Sequence, residues 1–481
     1  MNRFRFLIAI LDARRFLVLG LGLGLCVVAA SAGQAAAGMP NHPPGRADPP
    51  GTNLPATSTA GTLLFDDVTI LDGTGRPPMP HAHLLVREGR IERLGRTAWK
   101  VSGQVRRIDG HGRYLIPGLI DVHVHVVGGF ADEDEGDTGK QAGVRALHGY
   151  LYSGVTTIFD AGNDPDYIFG LRAAERAGAL VAPHLLAAGG IVTVPGGHGG
   201  FTPSTLIETW PGARSVLDAE IALAPDMVKF TYDEHNWGTR PLIPLLPLDL
   251  MQHAIEYLND HGLRTTVHTS NEIRAREAIF AGIDTLAHPV IQSPVSDGFV
   301  ALMAAKQVPM ASTLTIGEGY SRLVDHPEFL DAPLYAAVFE PGEIARLKGE
   351  VRDRYAARAW TTWMKVMTPV AQENLRRIDA AGGVIALGSD QSNGPASQRE
   401  LELLVQGGIP PLSALKIATL NSAVFLGRAR ETGSIEEGKV ADLVLLSANP
   451  LDDISHLQSI DMVVKAGRII DRAALDLPVN R

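Results

Sequence analysis

The chain has 481 residues, with 43 Lys and Arg against 53 Asp and Glu and a formal net charge of −10. That balance argues against a nucleic-acid partner, which needs a basic face. The length suits one large α/β domain with additions, acting on a small molecule.

Residues 1–32 read as a secretory leader, because Arg3, Arg5, Arg14 and Arg15 come before or at the edge of an apolar run that ends in small residues. Two small-x-small cleavage patterns, Ala30-Ser31-Ala32 and Ala35-Ala36-Ala37, stay open, and an uncleaved anchor is the bland alternative. The expected location is periplasmic or secreted, with no stable membrane association once the leader is removed. Cys26, the only cysteine, lies inside that leader. The mature chain then has no disulfide, and any transition-metal site must be built from His, carboxylate, Lys and water.

Residues 33–61, rich in Pro, Gly and Thr, predict a flexible linker. Short β-rich runs punctuated by Asp72-Gly73 and Glu88-Gly89 follow over residues 62–114, and similar runs return over residues 425–481. Together they predict a small β-sandwich domain built from both termini. Between them, residues 115–424 carry eight short apolar runs separated by helical stretches: 119–125, 155–160, 184–188, 227–230, 264–268, 285–288, 308–314 and 384–390. Alternating β and α elements of this kind predict a (β/α)8 TIM-type barrel with its site at the C-terminal ends of the strands.

Polar residues fall at those ends. In "YLIPGLIDVHVHV" (114–126), His123 and His125 are two apart, so in an extended strand both imidazoles face the same way, about 7 Å apart along the chain. Lys229 ("DMVKF"), His268 ("TTVHT"), His288 ("DTLAH") and Asp390 ("ALGSD") end or nearly end four other runs. A single strand-end histidine is more often structural, and Asp390 alone could cap a helix. All of them on one barrel rim is a donor set for zinc or its first-row neighbours. Lys229 does not fit as an ammonium beside a cation. Carbamylation by CO2 would turn it into a carboxylate able to bridge two metals roughly 3.5–4 Å apart.

This arrangement resembles the amidohydrolase superfamily. "PGLIDVHVH" is similar to its first-strand signature, and "LGSD", "GSIEEGKVADLVLL" and "VVKAGRII" to its last barrel strand and returning β-domain. The resemblance implies two divalent ions, zinc first among them. One would be held by His123, His125, Lys229 and Asp390, the other by Lys229, His268 and His288, with a CO2-derived carbamate on Lys229 as the bridge. Asp390 would take the proton from a metal-bridging hydroxide and pass it to the leaving group. The implied reaction is cleavage of an amide, in a dipeptide or an N-acyl amino acid. The alternatives are a cyclic amide, a lactone or a phosphotriester on the same centre, a one-metal variant, and last a catalytically dead binding protein.

Within the superfamily, "PGGHGG" (195–200) resembles a loop of the prolidase-like, imidazolonepropionase-related branch, which implies substrate contacts from His198. "VHTSNE" departs from that branch, with Ser270 where a second histidine is usual. The loop "TYDEHNWGTR" (231–240) offers Tyr232, His235 and Arg240 for a substrate carboxylate or oxyanion, Tyr232 foremost. Residues 315–383 form a long insertion of charged helices carrying Trp360 and Trp363, read as a lid, an outer helical pair or a subunit contact. A homo-oligomer is left open.

Overall fold

The computed structural model describes residues 61–126, 140–200 and 204–481. The expected leader, and the expected linker up to residue 60, lie outside the described residues. All described residues fall within one compact unit, Ala47–Arg481. No helix among them is long and apolar enough to cross a membrane.

Five strands come first: β1 (Thr62–Ile70), β2 (Met79–Arg87), β3 (Arg90–Gly95), β4 (Val105–Asp109) and β5 (Tyr114–Pro117). The centre follows with β6 (Leu119–Val124), β7 (Val155–Asp160), β8 (His184–Ala187), β9 (Ile191–Thr193), β10 (Ser204–Leu206), β11 (Val228–Thr231), β12 (Thr265–His268), β13 (Thr285–Leu286), β14 (Met310–Ala311) and β15 (Ile385–Ala386). The last three are β16 (Leu443–Leu446), β17 (Ile460–Lys465) and β18 (Arg468–Ile469).

Strands from both termini share one eight-stranded sheet in the order β18-β17-β16-β5-β1-β2-β3, with β4 also on β1. Where the sequence predicts a sandwich, the hydrogen bonding is thus one continuous mixed sheet. Its own core includes Phe65, Val68, Leu84, Ile91, Leu443 and Val464. β5 pairs with β1 and β16, so this sheet extends to Pro117, three residues past the expected boundary at 114.

Each of the eight expected central runs holds a strand, and all their pairings are parallel. Together with β9 and β10, which the sequence does not predict, they form a three-stranded sheet, β6-β7-β8, and a seven-stranded one, β10-β9-β11-β12-β13-β14-β15. Backbone bonds connect the two sheets at both edges. Asp226 N donates to Ala187 O (2.9 Å) on one side, and Val122 N donates to Leu387 O (2.8 Å) on the other. The strands carry apolar residues on both faces, Ile120, Val122 and Phe159 in one cluster and Leu119, Val155 and Ile158 in another, as a parallel sheet covered on both sides must.

β14 and β15 are shorter than the runs that predict them. Beyond them the backbone turns left-handed at Thr313 (φ 33°) and Asp390 (φ 51°), and past β15 bonds to β6 and the residue after it, Asp390 N to His123 O and His125 N to Gln391 O, take the place of a regular strand. Helices then start on side-chain caps: Asp164, Asn271, Ser296 and Asn393 each accept a backbone N–H from the first turn. Each such cap contributes about 1 kcal/mol. The 315–383 region is helical as expected, including Leu314–Asp325 and the 22-residue Ala359–Ala380.

Candidate metal centre

His123, His125, Lys229, His268, His288 and Asp390 come together at the C-terminal ends of the central strands. His123 Nδ1 donates to Ala287 O and His125 Nδ1 to Gly162 O, both at 2.8 Å. A carbonyl can only accept, so each Nδ1 carries its ring's proton and each Nε2 is turned into the cluster. There Asp390 Oδ1 lies 3.5 Å from His123 Nε2 and 3.3 Å from His125 Nε2. Lys229 Nζ lies 3.3 Å from His123 Nε2. The His288 ring centre is 4.5 Å from that of His123 and 4.3 Å from that of His268.

These positions are enforced by buried hydrogen bonds. Asp121, on β6, accepts from His123 N (3.2 Å), Ser389 N (3.0 Å) and Ser397 Oγ (2.6 Å), locking the first histidine to the Asp390 loop. Gly388 is needed in that loop, since a Cβ there would sit 2.9 Å from His123 Cβ. Asp160 accepts from Val126 N (2.7 Å) and Asn163 Nδ2 (2.9 Å), fixing the chain beside His125. His288 Nδ1 lies 2.9 Å from the hydroxyl of Thr313, the β-branched residue held at φ 33°. Backbone strain in such residues persists only where the surroundings impose it.

The electrostatics suit cation binding. Burial first, and then Lys229, push His123 well below the ordinary histidine range, and burial with its neighbouring imidazoles does the same to His288. Both rings are therefore neutral, as donors to a cation must be. Burial works to raise Asp390, but His123, His125 and Lys229 outweigh it and hold the carboxylate ionised. Lys229, 2% exposed, is lowered to about 8 by burial. A buried ammonium costs several kcal/mol, and no carboxylate of a described residue bonds this one directly. Burial therefore favours the neutral amine of Lys229. The donor set of imidazoles, one carboxylate and one buried lysine fits divalent metal ions.

A second group of donors is His198, Asp233 and His268, whose ligand atoms lie within 4.8 Å of one another. His268 Nε2 lies 3.0 Å from Asp233 Oδ2; that carboxylate, kept low by the bond against its burial, accepts the N–H of Nε2, which leaves the Nδ1 lone pair of His268 as the candidate donor. Asp233 also accepts from His235 N at 2.8 Å. His198 stacks on His268 with centres 4.1 Å apart and bonds His235, Nδ1 to Nε2, at 2.8 Å. Sequence reasoning missed Asp121, Asp160 and Asp233. In each case the signal was an acid within two residues of a ligand or of a strand end.

Of the expected substrate contacts, His198 lies against the cluster, and Arg240 lies beyond it, its guanidinium 5.0 Å from the centre of the Trp237 ring. Tyr232 does not face the centre. It is 2% exposed, and its hydroxyl donates to Glu277 Oε2 at 2.8 Å on the helix Glu272–Phe280. The reason is alternation along β11: Lys229 and Thr231 point to one side, so Tyr232 points to the helix layer.

The sequence pattern of the amidohydrolase family matches residues 114–470. An ochratoxinase from Aspergillus niger is 24% identical over 453 residues, covering 86% of this chain and 88% of its own. An imidazolonepropionase from Symbiobacterium thermophilum is 24% identical over 430 residues, 82% of this chain and 90% of its own. Among solved structures, a Xaa-Pro dipeptidase with bound methionine superposes with a TM-score of 0.68 at 22% identity, covering 85% of this chain and all of that one. The chain belongs to the amidohydrolase family and is a hydrolytic enzyme acting on carbon–nitrogen bonds.

Proposed function

We propose that the chain is an exported, binuclear metal-dependent amidohydrolase that cleaves the amide bond of a dipeptide or an N-acyl amino acid. The observation that carries this reading is the convergence of His123, His125, Lys229, His268, His288 and Asp390 on one cluster at the strand ends. We read the eight parallel strands as a (β/α)8 barrel, with residues 62–114 and 425–481 as its β-domain and residues 315–383 as an insertion at the mouth.

In this reading His123, His125, Lys229 and Asp390 hold one ion, and Lys229, His268 and His288 the other, with zinc as the preferred metal. Lys229, as a neutral amine, adds CO2 and releases a proton, becoming the carbamate that serves both ions. When bound, two such ions acidify water and polarise a carbonyl. Asp390 holds the abstracted proton and returns it to the leaving nitrogen. Asp233 fixes the His268 ring, and His198 faces the substrate. Residues 1–32 act as the export leader. A Xaa-Pro dipeptidase among the similar structures supports a dipeptide amide, and the imidazolonepropionases among the similar proteins keep the cyclic amide as the second reading.

The test is a panel of dipeptides and N-acyl amino acids, set beside a cyclic amide, a lactone and a phosphotriester, before and after chelation. Acyclic amides should be hydrolysed, with activity lost on chelation and restored by zinc. Turnover of the lactone or phosphotriester with no acyclic amide cleaved would overturn the substrate class.

A further inference from the structure

Beyond the metal centre, the loop after β11 meets the inserted helices in a cluster of aromatic and cationic side chains. The route is continuous: His268 contacts His198, His198 contacts His235, and the His235 ring centre lies 6.0 Å from that of Trp237. Trp237 stacks on Trp363 at 4.9 Å and 27°, and meets Trp360 edge-on at 6.3 Å. Both of those indoles come from the first turns of Ala359–Ala380, while Tyr320, on Leu314–Asp325, packs on Trp360 at 4.3 Å. The junction is closely fitted. Gly238 takes φ 57°, and a Cβ there would come within 3.3 Å of Trp363.

Two guanidiniums enter this cluster. The Arg240 Cζ lies 5.0 Å from the Trp237 ring centre, and both it and the Arg358 Cζ lie 5.6 Å from that of Trp360. Neither has a carboxylate partner among the described residues. Several other half-buried arginines are paired with carboxylates, Arg172 and Arg176 with Asp226, Arg274 with Glu234 and Glu277, and Arg399 with Glu318 and Glu402, and Arg352 and Arg472 donate to backbone carbonyls, whereas no described carboxylate or carbonyl receives Arg240 or Arg358. Burial lowers Arg240, Tyr320 and Asp233 act against that from a distance, and Arg358 adds a smaller repulsion. The buried Trp237 Nε1 also lacks an acceptor among the described residues. Unpaired cations and an unpaired N–H between flat apolar rings call for an anion attached to an apolar or aromatic group.

We propose that Arg240 and Arg358, framed by Trp237 and Trp360, form a substrate subsite for a free carboxylate carried next to an aromatic ring. The inserted segment is then a specificity element that supplies Arg358 and the indoles, and the substrates are acidic aromatic amides. This rests on the amidohydrolase reading for its substrate class, while its binding chemistry is independent of turnover.

The test uses calorimetric binding to the full metal-loaded protein with two probes that hold no amide, phenylpropionate and its neutral analogue phenylpropanol. Acetyl-phenylalanine and its carboxamide are assayed for hydrolysis in parallel. Wild type should bind the acid about 10- to 100-fold tighter than the alcohol, the range of hydrogen bonds to charged groups. That preference should fall to within about twofold in Arg240→Met and in Arg358→Met, with metal content and melting temperature retained, and recover in part in Arg240→Lys. No acid preference in wild type overturns the subsite. So does a preference that survives both methionine variants, which would seat the carboxylate on the metals. Charge-dependent binding without hydrolysis of either acetyl compound would leave the subsite standing and count against the amidohydrolase reading. Equal hydrolysis of both with no charge preference would do the reverse.

Discussion

Asp233 and Tyr232 are sequence neighbours that leave β11 on opposite sides, and their substitution separates the centre from its support. Asp233→Asn keeps the shape but removes the charge that fixes the Nε2 proton of His268, so metal affinity should fall about 10- to 100-fold, as for other carboxylates behind metal-ligating histidines. Tyr232→Phe removes one hydrogen bond to Glu277. It should lose about 1–2 kcal/mol of stability with kcat/KM nearly unchanged. Chelator titration, denaturant unfolding and steady-state kinetics on both variants check this, and loss of activity in Tyr232→Phe with metal retained would contradict it. At this scale the histidines were legible, because His123 and His125 interrupt a run whose period wants apolar residues. The direction of Tyr232 was legible too, since Lys229 sets the inward parity of its strand. Asp233 shares the parity of Lys229 but lies past Thr231, the last residue of the strand, where alternation need not hold, and it is one of two adjacent acids.

Among the elements, the first inserted helix is tied to the helix that follows β15 by a buried acid. Glu400, on Gly394–Gln406, accepts from Leu314 N (2.8 Å), Thr315 N (2.7 Å) and Thr315 Oγ1 (2.8 Å), yet burial pushes it from 4.5 up to about 7. Between those values the folded chain holds more protons than the unfolded one. The favourable contribution of Glu400 is therefore fully present below about pH 4.5 and is lost as pH rises through about 7. Glu400→Gln should flatten this part of the stability–pH profile in denaturant unfolding, and superimposable slopes would contradict the assignment. Strand positions were readable from apolar runs bounded by polar ends. The lengths of β14 and β15 were not, because Thr313 and Asp390 are held left-handed by tertiary bonds that no local pattern announces. The meeting of Arg240 with Arg358 and Trp360 is likewise a contact between distant segments, invisible to periodicity.

For the whole molecule, the expected β-sandwich is one mixed sheet because β5 pairs with β1 on one side and with β16 on the other, joining the strands of the two termini. The expected central strands are all present, and the family assignment accounts for why their polar ends converge. What joins these levels is Lys229, whose burial is costly as an ammonium and useful as a carbamate. The most direct test is elemental analysis of the mature protein purified without chelator, with native intact mass, for wild type and Lys229→Ala. The account predicts close to two divalent ions per chain and the added mass of one CO2 in wild type. It predicts loss of that mass and of most metal in Lys229→Ala, with partial recovery of activity on adding a short carboxylic acid. Wild-type metal content in Lys229→Ala, or a wild-type protein that takes up no metal on reconstitution, would contradict it.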